Sequence, residues 1–166
     1  MTECPRRFSI SAQASPEGPA PTTATRFPER ISGASDDQRM LQLRSATEKT
    51  VDLLVREYER TTGKILLVVN SYVQAQEVQR TLETALRKVN CPAQVCRMIS
   101  DAVSSENVQG TVRRGEVSRF AWMKEDILIA PAMAIERGHN IVDEYGHSAL
   151  CAVFFMVRPM AVPDDI

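Results

Sequence analysis

Between Lys64 and Asn70 the chain runs Ile65-Leu66-Leu67-Val68-Val69, five apolar residues in succession. An amphipathic helix or a half-exposed strand would interleave polar positions, so both faces of this segment have to be covered. A strand inside a parallel sheet meets that condition. Parallel neighbours in turn need crossover connections, and these are normally helices.

Helical patterns flank the run as required. Ser35 and Gln38 have the spacing of a capping box. Behind them Met40, Leu43, Val51, Leu54 and Tyr58, with Thr47 filling the gap, share one helical face, while Glu48, Lys49, Arg56 and Glu59 lie opposite. Thr61-Thr62-Gly63 ends that helix. After the apolar run, Ser71 with Gln74 repeats the capping pattern, and Ala75, Val78, Leu82, Leu86 and Val89 form the next apolar face. Arg87 and Lys88 suit the negative end of its dipole, and Asn90-Cys91-Pro92 stops it. A second strand is expected over Gln94–Ile99, a loop from Ser100 to Gly110, and a shorter helix over Glu116–Met123 burying Val117, Phe120 and Ala121. Asp126–Ala130 reads as a third buried strand closed by Pro131, and Ala152–Val157 as a fourth. Strands alternating with helices predict an α/β domain with right-handed crossovers and a mostly parallel sheet.

Residues 1–34 lack either periodicity and hold five of the nine prolines, so they are expected to form a linker or disordered arm ahead of the folded part, 35–166. A net charge of −1 gives no global attraction to nucleic acid and leaves room only for a local basic stripe. No apolar run approaches the roughly 18 residues that span a bilayer. Two arginines within Met1–Arg7 are followed by no apolar stretch of the kind a secretory signal carries. Cys91 and Cys96 would need two further ligands to bind zinc, and His139 and His147 lie far off in sequence, so no metal site is expected. Cys96 and Cys151 sit in apolar runs as small core residues, and a cytoplasmic, reduced protein is the simplest account.

Ligands of an open parallel sheet bind beyond the C-terminal strand ends. Here those ends are Asn70-Ser71-Tyr72, Ser100-Asp101, Pro131 to Asn140 and Arg158-Pro159, polar or glycine-bearing where the strand bodies are apolar. The segment Ile127 to Ile141, a buried strand, a short apolar turn and then Glu136-Arg137-Gly138-His139-Asn140, resembles motif V of superfamily 2 helicases. Ile65 to Tyr72 resembles their motif IV. The continuation to Val157-Arg158-Pro159 is similar to helicases of the pPIWI-RE type found in bacterial defence islands. The resemblance implies a RecA-like (P-loop NTPase-like) three-layer fold. It implies that Arg137, Gly138 and Asn140 face nucleotide bound between two such domains, and that Ser71, Tyr72, Pro131 and Ala132 lie near nucleic acid. A glycine at such a cleft lets backbone N–H groups approach phosphate oxygens.

The chain departs from the family pattern in ways that bear on activity. Ala132 stands where many members have threonine, and Asn140 where aspartate is commoner. No G-x-x-x-x-G-K-[ST] phosphate loop and no magnesium-binding acidic box is present, and the arginine-rich motif VI is expected beyond Ile166. The expectation is therefore a C-terminal helicase domain with no catalytic residues of its own. ATP and Mg2+ would bind only together with a partner N-terminal RecA-like domain. A stand-alone α/β interaction or regulatory module that lost motor function is the alternative, and a small-molecule enzyme lacks any dinucleotide glycine fingerprint. Asp101, Arg113-Arg114 with Arg119, and the two histidines read as turn, solvated helix-start and loop residues, and Trp122 as packing.

Overall fold

The computed structural model describes residues 35–102, 109–136 and 139–157. The linker reading of residues 1–34 and everything expected of 158–166 lie outside them. The elements are α1 (Asp36–Arg60), β1 (Lys64–Val69), α2 (Tyr72–Lys88), β2 (Val95–Ile99), β3 (Thr111–Arg113), a 3-10 helix (Arg114–Trp122), β4 (Ile127–Pro131), α3 (Ala132–Ile135) and β5 (Leu150–Phe155). One sheet holds the five strands in the order β3-β2-β4-β1-β5, every pair parallel.

The apolar run is β1, and it lies between β4 and β5 with Ile65 to Val69 all buried. Burying each such side chain stabilises the fold by about 1.5–3 kcal/mol. Its alternation feeds two cores. Ile65, Leu67 and Val69 pack with Leu43, Val51 and Leu54 of α1 and with Ala75, Val78, Leu82 and Leu86 of α2. Leu66 and Val68 pack on the other face with Val117 and Phe120 of the 3-10 helix and Ala134 of α3. Helices on both faces of a parallel sheet make this a three-layer α/β architecture of the Rossmann- and RecA-like kind.

Both long helices follow their sequence signals. Ser35 Oγ accepts the Gln38 N–H at 3.3 Å and Gln38 Oε1 accepts the Ser35 N–H at 3.2 Å, a complete capping box. Thr47 and Thr50 sit buried in the apolar face because their hydroxyls donate to the carbonyls of Leu43 and Ala46, at 2.7 and 2.8 Å. An Arg44–Glu77 ion pair ties α1 to α2. At the end of α2, Asn90 takes φ 54°, and the N–H groups of Asn90 and Cys91 reach back to the carbonyls of Arg87 and Leu86 at 3.2 and 3.0 Å. This is a Schellman cap with asparagine in the left-handed position. Val89 consequently leaves the buried face and is exposed.

Other differences have local causes. β3 was not anticipated: three residues with one buried, Val112, carry too little periodicity to read. The expected helix over Glu116–Met123 is a 3-10 helix starting at Arg114. It buries Val117 and Phe120 as expected, but Ala121 is only half-buried and Trp122 is 63% exposed rather than packed. The last strand begins two residues earlier than expected. As an edge strand it alternates between half-buried and exposed, so Cys151 lies on the surface and not in the core. Gly63 permits that edge to approach: a Cβ there would lie 2.7 Å from the Cβ of Cys151.

Two outcomes follow. Gly110 has φ +71° and a Cβ would sit 3.0 Å from Gln79 Nε2 and 3.2 Å from Val95 O, so Gly110→Ala should destabilise the domain by about 1–2 kcal/mol in urea unfolding. Burial pushes the Cys96 thiol up to about 12, the negative charge of Glu125 adding to it and Arg97 opposing. Mass spectrometry after timed alkylation at neutral pH should find Cys151 modified quickly and Cys96 only on unfolding. Equal rates would contradict the burial described.

Candidate functional site

Because all five strands are parallel, their C-terminal ends share one edge. The chain leaves β1 through α2 toward β2 on one side of the sheet order, and leaves β4 through α3 toward β5 on the other. α2 covers one face and α3 the opposite one. The strand order therefore reverses between β1 and β4, which is where open α/β sheets form a ligand crevice. Val69 and Pro131 are register partners, so Asn70-Ser71 and Ala132 emerge side by side.

On the β1 side, Ser71 is the N-cap of α2, its hydroxyl accepting the Gln74 N–H at 3.2 Å. The expected capping box is displaced by one residue, since Gln74 Oε1 accepts from the Asn70 N–H, at 2.9 Å, rather than from Ser71. The cap holds the strand-to-helix turn rigid and leaves the Tyr72 and Val73 N–H groups at the head of a 17-residue helix with no acid in its first turn. Tyr72 is half-buried and packs against the core cluster of the α3 face. Val73 projects and is 66% exposed.

The β4 side is apolar. Pro131 is fully within the sheet and buried, Ala132 is half-buried, Met133 is 67% exposed and Ala134 is buried again. Of the expected nucleic-acid contacts, Ser71, Tyr72 and Ala132 thus stand half-buried just beyond adjoining strand ends, and Pro131 is buried at the end of β4. Arg137 and Gly138 lie outside the described residues. Asn140 is exposed just ahead of buried Ile141. His139 is half-buried, its Nε2 3.1 Å from the Ala134 carbonyl, which ties the segment after α3 back to that helix.

The neighbouring strand ends complete the edge. Asp101 Oδ1 accepts the Gly115 N–H at 3.0 Å, fastening the turn after β2 to the start of the 3-10 helix, so its carboxylate works within the fold. Arg113 and Arg114 are partly exposed at the end of β3, while Arg119 pairs with Glu116 at 3.1 Å. His147, read as a loop residue, is exposed and lies 3.7 Å from Asp143. Val73 and Met133 went unnoticed in the sequence, and their only signal was an apolar residue off the inward face of each helix. Two broad concavities lie elsewhere, between α1 and α2 and at the opposite edge beneath β2 and β4. Among the described residues no group of three or more His, Cys, Asp or Glu side chains is placed to hold a metal, and no helix is long and apolar enough to cross a membrane. No protein-family model, curated protein or solved structure matches the chain.

Proposed function

We propose that the chain is the C-terminal RecA-like domain of an ATP-dependent nucleic-acid helicase, supplying one wall of a nucleotide cleft and part of the nucleic-acid track. One observation carries the reading. The two stretches that resemble helicase motifs are far apart in sequence, yet their strand ends are register neighbours at the point where the sheet order reverses. The head of α2 offers orphan N–H groups and a positive dipole end to a phosphate. The Asn140 amide is exposed, but the carbonyl of the next residue, Ile141, accepts from the Ala149 N–H, and the Ala149 carbonyl accepts from Lys64 at the start of β1, so Asn140 lies toward the opposite edge of the sheet. No acidic cluster accompanies them among the described residues, and in this reading a partner N-terminal RecA-like domain brings the phosphate loop and the Mg2+ ligands. Exposed Val73 and Met133 flank the crevice and would be covered when such a domain closes. The resemblance to helicases of bacterial defence islands belongs to the same proposal.

Nucleic acid would be held at Ser71, Tyr72 and Ala132 chiefly through its phosphates. Fluorescence anisotropy with a labelled dT20 strand should show weak binding whose log affinity falls linearly with log salt, with a slope of roughly −0.7 per phosphate contacted. Ala132→Asp, which sets a carboxylate in the crevice, should remove most of that affinity and leave the melting temperature within a few degrees. Absence of binding at low salt would favour the interaction-module alternative. Phosphoryl transfer needs a phosphate cradle, a metal and neutralisation of the transition-state charge in place together. The purified chain should therefore show no ATP turnover above background, and turnover abolished by Gly138→Ala or Arg137→Ala would defeat the assignment of half a cleft.

A further inference from the structure

At the edge of the sheet where the strands begin, a hollow of about 480 Å³ opens between the end of α2 and the entries to three strands. Residues 91–95 lead into β2, Gln109 and Gly110 into β3, and Lys124 and Glu125 into β4. Hydrogen bonds brace these entries against one another. Asp126 Oδ2 accepts the Gln94 N–H at 2.9 Å, and the Gln94 carbonyl accepts the N–H groups of Asp126 and Ile127 at 2.9 and 3.0 Å, which locks the entry to β2 against the entry to β4. The Gly110 carbonyl accepts the Arg97 N–H at 3.0 Å and the Gln79 side-chain amide at 3.1 Å, which fixes the entry to β3 onto β2 and α2. A hollow held in this way is formed before any ligand arrives, so little ordering opposes binding.

Glu125 lines this hollow and is 8% exposed, the only charged residue that is buried among the described ones. Its carboxylate nevertheless has neither a hydrogen bond nor an ion pair among the described residues. The other buried polar residues, Thr47 and Thr50, both donate to carbonyls. A cation does stand close by and is used otherwise: the Lys64 ammonium donates to the backbone carbonyls of Met123 and Glu125, at 2.6 and 2.7 Å. A carboxylate withdrawn from most of its water and left unpaired is unfavourable for the folded state, and a cation entering the hollow reverses that. At the rim Arg87 is turned to Glu83 at 3.8 Å, and Lys124 is exposed.

We propose that this hollow binds a small organic cation, a primary ammonium on an apolar body of a few carbons, with the ammonium on the Glu125 carboxylate and the body over Leu86, Pro92 and Val95. An ammonium needs one charged acceptor, whereas a metal ion needs several ligands, and among the described residues no group of three His, Cys, Asp or Glu side chains is placed to supply them. Lys124 gives a carboxylate on the same ligand a counter-charge. The site lies at the opposite edge from the crevice between β1 and β4, and it does not depend on the helicase reading. The bland account, in which water filling the hollow solvates Glu125, predicts no saturable ligand.

The test is a proton–nitrogen NMR titration of the whole chain with n-butylammonium chloride near neutral pH, at ionic strength held constant with sodium chloride. The backbone amides of Val95, Gly110 and Glu125 should shift along one saturable curve. Glu125→Gln keeps the shape of the side chain and removes its charge. It should raise the apparent Kd about tenfold, and it should leave the urea midpoint of the free chain unchanged or higher, because no partner is lost. A lower midpoint would mean that the fold already pairs the carboxylate and would overturn the proposal. Shifts that do not saturate, that sodium reproduces, or that Glu125→Gln leaves unchanged would overturn it too. A parallel titration with norleucine, an α-amino acid with the same butyl chain, identifies the source of the ammonium. Saturation at lower concentration than butylammonium assigns an amino acid, and the reverse order assigns a simple amine; either result places an ammonium at Glu125.

Discussion

Covering both faces of β1 is the constraint on which the rest of the structure depends. Its five buried side chains alternate between two cores, so the strand can exist only with a layer packed on each face. α1 and α2 supply one layer, and the 3-10 helix with α3 supplies the other. A parallel sheet then fixes where loops can carry chemistry, because every strand ends on the same edge. The hand of the crossovers fixes the remainder: connections running in opposite directions along the sheet must lie on opposite faces if their hand is shared. The path through α2 and the path through α3 obey that rule, and the crevice between Ser71 and Ala132 is its geometric consequence.

The legible parts of this fold are those where one residue type does one job in a long element. The Ser35 and Gln38 box, the run of β1 and the faces of α1 and α2 all read directly because many positions repeat the same requirement. The illegible parts are short or marginal. Thr111–Arg113 is a strand because β2 offers it a partner, not because its own residues insist on it. The 3-10 helix keeps Val117 and Phe120 inward but turns Trp122 out, since three residues per turn rotate the face away from the expected α-helical stripe. In β5 the exposed positions Cys151, Val153 and Phe155 are as apolar as the half-buried ones between them, so hydropathy alone reads as a doubly covered strand.

The candidate crevice was legible to the extent that strand ends could be located, which placed Asn70 to Tyr72 and Pro131 onward at one edge. Which of those residues present a surface was not, because that depends on packing across elements. Tyr72 leans into the α3 core, and Pro131 is drawn into the sheet by its pairing with Val69. The shift of the Gln74 side chain to the Asn70 N–H is of the same kind. A capping motif names its participants but not which backbone donor is left over once the preceding strand has taken its ladder bonds.

Charge shows the same separation between composition and arrangement. The sum over the chain is −1, and by itself it argues against any polyanionic ligand. The ion pairs redistribute that sum. Carboxylates neutralise Arg39, Arg44, Arg60, Arg87 and Arg119 along the helices, and Asp101 is committed to the Gly115 N–H. Of the described arginines left without an acid, Arg80 lines the groove between α1 and α2 and Arg56 stands on α1, while Arg97, Arg113 and Arg114 lie on the β2 and β3 side of the sheet. With a Debye length of about 8 Å at physiological salt, a ligand there feels these groups and not the distant acids that balance them in the total. A near-neutral protein can therefore present a positive flank at β2 and β3.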